Sequence, residues 1–454
     1  MNKFTFLPII ILSIGLLNGC ALPVSEQVTT KPVKSKPLKS KPLKIRQQIE
    51  AHFSQLAADN EVKVLSSERR EDGMTELYIA GEPITTASGV TQPTQIFALY
   101  NLPKVPLLTA TGKIPAMVLV HGGGGTAFKE WVEKWNEAGF AAISIAVEGQ
   151  TDIPVDDLQS AKVKDTLRWQ KHQSSGPSRQ GIYADFDKPL DEQWMFHAVS
   201  AVIRAKHFLA SQVDIDKQHI GLTGISWGGV ITSTVLGFDN SFDFSIPIYG
   251  CGFLDSMQNQ YQSALIANAA YKDIWEPGHR IANYLQPSLW LTWRDDKHFA
   301  LDAQARSYAQ LTGDYSVSIK PGIRHGHRPG WNQAESYFFA KHVVRQGHVW
   351  AKSLAVKKLE SGQVQAEFLV NLAENDYQIT KATIHYTKDK GHTGSAKWLQ
   401  TDASVVTSKT QPGRIIVTSG VVMPNDVQHW FVNLAVRIHE EDQIFTVSST
   451  LYSD

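Results

Sequence analysis

The sequence predicts an α/β fold, with a mostly parallel sheet and helices on both faces, followed by a small all-β sandwich domain. Three observations predict it. From about residue 70 to 345, short apolar runs alternate with segments long enough for helices. After about residue 355, apolar residues recur at every second position. Finally, Gly224-Ile225-Ser226-Trp227-Gly228 sets a serine between glycines where an apolar run gives way to a helical pattern.

The elements follow in chain order. Lys3 and the apolar run FLPIIILSIGLL read as a signal peptide over residues 1–19, since the run is short for a membrane span. Leu17-Asn18-Gly19-Cys20 resembles the lipobox of bacterial lipoproteins. That resemblance implies acylation of Cys20, a membrane anchor in the cell envelope and, with Ala21 next in line, the outer membrane. An ordinary secretory signal is the alternative. Cys251 is the one other cysteine, so an exported chain has no disulfide framework to build.

Residues 20–46 read as a tether. KPVKSKPLKSKPLK repeats proline every five residues among like charges, a composition that buries nothing and stays extended. Seven basic residues and no acid fall in 31–46, while Lys3 and Glu26 cancel, so a formally neutral chain leaves residues 47–454 at −7. A mildly acidic body lacks the basic face that nucleic acid requires.

Residues 47–350 form the expected α/β domain, opening with a helix and antiparallel lead-in strands before about residue 110. AMVLV, AAISIA, HIGLT, FSIPI, SLWLT and YSVSI are its strands. KEWVEKWNEAG and WMFHAVSAVIRAKHFLASQ carry apolar residues at helical steps. Residues 351–454 form the β-sandwich, of immunoglobulin or fibronectin type. Val364, Ala366, Phe368, Val370 and Leu372 alternate with polar neighbours, as do Trp430, Val432, Leu434, Val436 and Ile438. No catalytic cluster is visible there, which leaves packing or substrate shaping as its role.

The serine pentapeptide fits G-x-S-x-G. A serine at a sharp strand-to-helix turn is crowded two residues to either side, and Gly224 and Gly228 relieve that crowding. The helix beginning near Trp227 favours negative charge at the site. A serine hydroxyl also needs a base and donors for an oxyanion. VLVHGGGGTA, residues 118–127, offers a donor loop after a strand. Gly122, Gly124 and Ala127 also match G-x-G-x-x-A, with Glu148 at the distance of a ribose-binding acid, so a dinucleotide site competes. In chain order Ser, acid, His, the partners are Asp296 and His325, each after a strand. Asp295 and, more weakly, Asp255 rival the acid, and His327 rivals the base. His298, His325 and His327 raise a zinc alternative without the cysteine or His-Glu-x-x-His pattern that zinc favours.

Taken together, HGGGGTA, GISWGG, IYGCGF, the aspartate segment and PGIRHGH, over roughly residues 115–335, resemble the α/β-hydrolase superfamily. The similarity is to the branch of dienelactone hydrolases, acetyl xylan esterases and prolyl-oligopeptidase-like enzymes. It implies a Ser226–His325–Asp296 triad, with His325 four positions beyond Pro321. It also implies an oxyanion hole from Trp227 with Gly123 or Gly124, and neither cofactor nor metal. Relatives commonly carry glycine where Trp293 stands. The implied activity is ester hydrolysis, with acyl groups on polysaccharide or another extracellular ester as substrate. Trp131, Trp194, Trp227, Trp293 and Trp331 are either sugar-stacking platforms or core. Two rival functions are a prolyl-oligopeptidase-like peptidase, disfavoured because no propeller-sized domain precedes the core, and a surface binding protein with a silent triad.

Overall fold

The computed structural model describes residues 42–59, 61–86, 88–155 and 168–454. The signal segment, Cys20 and nearly all of the tether lie outside the described residues. Helix α1 (Pro42–Ala58) begins five residues ahead of the expected boundary at 47. A proline is tolerated in a first turn, where its missing N–H has no intrahelical acceptor. Ile49, Phe53 and Leu56 give α1 one buried face, so the end of the lysine repeat already belongs to the folded body.

Nine strands build the main sheet. They are β1 (Val64–Arg69), β2 (Thr75–Ala80), β3 (Gln95–Asn101), β4 (Ile114–Val120), β5 (Ala141–Ile145), β6 (Ile215–Ile225), β7 (Phe244–Ile248), β8 (Ser288–Trp293) and β9 (Tyr315–Lys320). Their spatial order is β1-β2-β3-β5-β4-β6-β7-β8-β9. The first three pair antiparallel and the remaining six are parallel. Every residue of β5 and β7 is buried, which is why these strands read as unbroken apolar runs.

Helices α2 (Lys129–Glu137), α3 (Trp194–Ser211) and α4 (Trp227–Val235) supply the crossovers. Two short helices, α5 (Gln260–Ile266) and α6 (Ala269–Trp275), follow β7. They are succeeded by α7 (Leu301–Tyr308), α8 (His327–Trp331) and α9 (Ala334–Gln346). Trp131, Val132 and Trp135 are the buried stripe of α2, as their spacing predicts. Strand β4 connects toward β5 on one side, and β6 connects toward β7 on the other. The crevice at the carboxyl ends of β4 and β6 is therefore the topological switch point, where open α/β sheets hold ligands.

Gly347, at φ 75°, closes α9, and the strands of the second part begin at Ala351. They are β10 (Ala351–Lys358), β11 (Val364–Val370), β12 (Tyr377–Thr387), β13 (Leu399–Thr407), β14 (Arg414–Ser419), β15 (His429–Ile438) and β16 (Gln443–Ser448). One sheet runs β10-β11-β14-β13 and the other β12-β15-β16, with the first half of β13 also pairing with β12. This is the strand arrangement of an immunoglobulin-like sandwich. Alternate residues of β11 face its core. The two parts are not separate bodies. Val317 of β9 pairs with Ser448 of β16, so the sandwich extends the main sheet, and Lys41–Asp454 is one compact unit.

Candidate active site

Ser226 follows β6 directly with φ 59° and ψ −117°, a conformation costly for a residue with a side chain. Its surroundings impose it. The Ser226 amide donates to Ile248 O at 2.9 Å, and Ser226 O accepts from Val230 N at 3.0 Å as α4 starts. A Cβ on Gly224 would strike the Gly228 carbonyl, and one on Gly228 would strike the Val120 carbonyl. The elbow, the serine helix and strand β4 therefore touch backbone to backbone. Only glycine permits that approach.

His325 Nε2 lies 2.8 Å from Ser226 Oγ, and His325 Nδ1 lies 2.7 Å from Asp296 Oδ2. The Asp296 side chain is fully buried, and its other oxygen accepts from the amides of His298 (2.8 Å) and Phe299 (3.2 Å). Those amides fix the carboxylate so that Oδ2 faces the imidazole. The imidazole ring sits between Phe299, nearly parallel with centroids 5.9 Å apart, and Tyr249 at 4.7 Å. The Tyr249 hydroxyl donates to Arg324 O at 3.0 Å, next to the histidine. Burial raises the pKa of that phenol, which keeps it a donor.

The rivals go elsewhere. Asp295 is paired with the Arg294 guanidinium at 3.0 and 3.1 Å, whereas the carboxylate on His325 is that of Asp296. Asp255 pairs with Lys272 at 3.4 Å. His298 stays close, its ring centroid 5.1 Å from that of His325, but its Nδ1 lies 3.3 Å from Gln260 Nε2. Among the described residues no three metal-ligating side chains converge. His327 Nε2 accepts the Gly122 amide at 2.9 Å, so it grips the glycine loop, while His325 is the one hydrogen-bonded to the serine.

That loop is held from several directions. His121 Nδ1 donates to Gly122 O (2.7 Å), and its Nε2 accepts from Val147 N (3.0 Å). Full burial pushes the His121 pKa down to about 3, so the ring stays neutral in this tautomer. Gln150 donates to Gly125 O at 2.7 Å and Trp169 to Gly124 O at 3.0 Å. Gly123 and Gly124 line a cavity of about 240 Å³ with Ser226, His325, Gly326, His327, Ile225 and Arg168. Trp227 begins α4 beside it. The dinucleotide reading fails on geometry. Residues 121–128 are loop, α2 opens only at Lys129, and Glu148 is engaged by Arg179 at 3.0 Å.

The two alternatives left open for the tryptophans resolve in favour of the core. Trp131, Trp194, Trp227 and Trp331 are buried, and Trp293 is half-buried against the core. Trp194 and Trp227 pack edge to face, and Trp131 stacks on Trp331. They are packing residues and offer no sugar platform. Sequence reasoning had no signal for Gln150, Tyr249 or Trp169, because their roles depend on contacts across dozens of residues.

Residues 86–276 match the family model for acetyl xylan esterase, a span that holds Ser226 but stops before Asp296 and His325. The chain is an α/β-hydrolase. Sheet order, elbow and family match together make it a serine hydrolase of the carboxylesterase type. Among solved structures it is similar to the acetyl xylan esterase from Paenibacillus sp. R4, at 16% identity and TM-score 0.48, covering 64% of this chain and 93% of that one. It is also similar to acetyl xylan esterase 1 from Thermoanaerobacterium sp. JW/SL YS485, at 15% and 0.48, covering 67% and 99%. A Mycobacterium tuberculosis puromycin-hydrolyzing peptidase matches at 15% and 0.40, covering 60% and 45%. No curated protein sequence matches the chain.

Proposed function

We propose that this α/β-hydrolase removes small acyl groups, of acetyl type, from carbohydrate or related extracellular esters, acting from the cell envelope through a lipid on Cys20. Ser226 attacks the ester carbonyl, and His325 takes its proton and later gives it to the departing alcohol. Asp296 holds the imidazole in the required tautomer. The amides of Trp227 and Gly123 or Gly124 receive the oxyanion. The observation that carries this reading is the hydrogen-bonded line from Ser226 through His325 to buried Asp296. The cavity, at about 240 Å³, is smaller than most ligand pockets and suits an acyl group of few atoms. The polysaccharide alcohol is suggested by the family match alone.

The test is purified residues 42–454 assayed side by side on a small acetate ester, a long-chain ester, acetylated xylan and Xaa-Pro amides. Acetate esters should be preferred, and Ser226→Ala should lower their turnover by about 10⁴-fold or more. Faster turnover of the amides, or substantial activity left in Ser226→Ala, would reject the proposal. Membrane fractionation of Cys20→Ser in the full-length chain tests the anchor, since a variant that stays membrane-bound and normally processed would reject lipidation.

A further inference from the structure

The segment carrying Asp296 is short, and the β-sandwich holds it at both ends. At its beginning, Arg294 Nη1 lies 3.4 Å from His385 Nδ1 on β12. His385 is buried, stacks on Phe431 with centroids 4.9 Å apart, and is kept neutral as burial pushes its pKa down to about 4. At the segment's far end, Asp302 opens α7, and Thr393 meets it with three hydrogen bonds. Thr393 N and Oγ1 donate to Asp302 Oδ1 at 2.8 and 2.6 Å, and Asp302 N donates to Thr393 Oγ1 at 3.1 Å. Thr393 is buried, and Gly394 packs on Ala300.

The strand that leads to His325 is gripped by the same domain. Ile319 N donates to Ser448 Oγ at 2.7 Å, and Ile319 O accepts from Asn433 Nδ2 at 2.9 Å. Ser448 in turn donates to Asn433 Oδ1 at 2.6 Å, closing a small ring of bonds. These contacts sit where a packing domain would have no reason to concentrate buried polar groups. Buried hydrogen bonds fix position more narrowly than apolar contact does.

We infer that the β-sandwich is part of the active-site scaffold, with Thr393 and His385 as positioning residues that bracket the loop of Asp296 and so set the His325–Asp296 hydrogen bond. The inference rests on the proposed triad. Loss of one bracket lets the 294–302 loop drift by a fraction of an ångström, which misaligns the imidazole while leaving the serine elbow intact.

Thr393→Val keeps the side chain's shape and removes the hydroxyl, and Thr393→Ser restores it. On an acetate ester, Thr393→Val should lower kcat about ten-fold with KM within about two-fold, because sub-ångström misplacement acts on the chemical step. Thr393→Ser should return most of that loss. The low-field proton resonance of the His325–Asp296 pair should move upfield in Thr393→Val and return in Thr393→Ser. Wild-type kcat with an unmoved resonance in Thr393→Val overturns the inference, whatever happens to the melting temperature. Should Thr393→Val not fold, His385→Phe reads the other bracket, with kcat expected to fall about three-fold at constant KM. Ser226→Ala is measured in parallel. Residual activity there takes down the triad and this inference together, whereas an inactive Ser226→Ala beside a fully active Thr393→Val rejects this inference alone.

Discussion

The two halves of the proposed triad are held by different means. Ser226 is fixed by backbone packed on backbone within the switch point of the sheet, through glycines 224 and 228 and a strained φ of 59°. Asp296 and His325 are fixed by side-chain hydrogen bonds, several of which arrive from a domain that follows them in sequence. A backbone contact fails abruptly when one atom is added. A hydrogen-bonded bracket fails by degrees. Variants on the two sides should therefore differ in kind as well as in size.

Among variants that leave serine, base and acid in place, the largest effect should come from Gly228→Ala. Its Cβ would meet the Val120 carbonyl and lie 2.7 Å from His121 O, both backbone atoms with nowhere to retreat. Such overpacking costs about 3 kcal/mol or more, and it drives α4 away from the glycine loop. Ester turnover should fall at least about 100-fold, as the two proposed oxyanion donors separate. The counterpart is Gly326→Ala, where the nearest atom is Pro329 Cδ at 3.4 Å and φ is 165°, extended backbone. That variant should fold with a melting temperature close to wild type. Equal damage from both would erase the contrast.

Next in size is His327→Asn. The Gly122 amide loses the imidazole nitrogen that accepts it at 2.9 Å, and the proposed oxyanion loop loosens without any change to the proposed base or nucleophile. Turnover should fall about ten-fold. His325→Asn should instead drop nearly to the Ser226→Ala level, about 10⁴-fold down. The reverse ranking would make His327 the base.

Much of this was legible in the sequence, and what was legible tracks the same divide. The elbow announces itself because its glycines stand two residues to either side of the serine and the apolar run before it is a buried strand. The mostly parallel sheet followed from alternation, and the sandwich from period two in residues such as Val364, Ala366 and Phe368, all buried. Asp296 over Asp295 could not be read from spacing. The choice depends on the His298 and Phe299 amides curling back on one carboxylate, while Arg294 takes the other. The tryptophans could not be divided between platform and core from sequence, because only the packing shows those at helix ends facing inward, as where α2 meets α8. The role of the sandwich was illegible because Thr393 and Asp302 are 91 residues apart, and neither stands in a motif.

Acid should weaken both halves, through buried histidines on each side. Burial holds His121, beneath the oxyanion loop, down to about 3, and His385 and His342, on the sandwich side, down to about 4. The unfolded chain protonates these rings below about 6.5, whereas the native state does not until the lower values, so the unfolded state binds more protons in between. Stability is thus full above about pH 6.5 and lost as pH falls toward 4, by on the order of 1 kcal/mol per histidine between pH 7 and 5. Urea unfolding at the two pH values measures the difference. In His385→Phe it should shrink by one histidine's share. An unchanged difference would mean that ring is not buried neutral.

The smallest effect decides between adjacent aspartates. Asp295→Asn removes the charge facing Arg294, an ion pair whose carboxylate is about one-third exposed and which is therefore worth little. It leaves the His298 and Phe299 amides on Asp296, and His325 Nδ1 at 2.7 Å, untouched. Arg294 keeps its approach to His385, so the bracket persists with one partner fewer. Turnover should fall no more than about two-fold. Asp296→Asn differs by one atom and one position along the chain, yet an amide there lacks the charge that pairs with an imidazolium and selects the wrong tautomer. Its turnover should fall about 10⁴-fold. Measured on one ester at one pH, the two asparagine variants place the acid without reference to any other residue. A large loss in Asp295→Asn would mean that the carboxylate reaching His325 in the working enzyme is the one now turned toward Arg294.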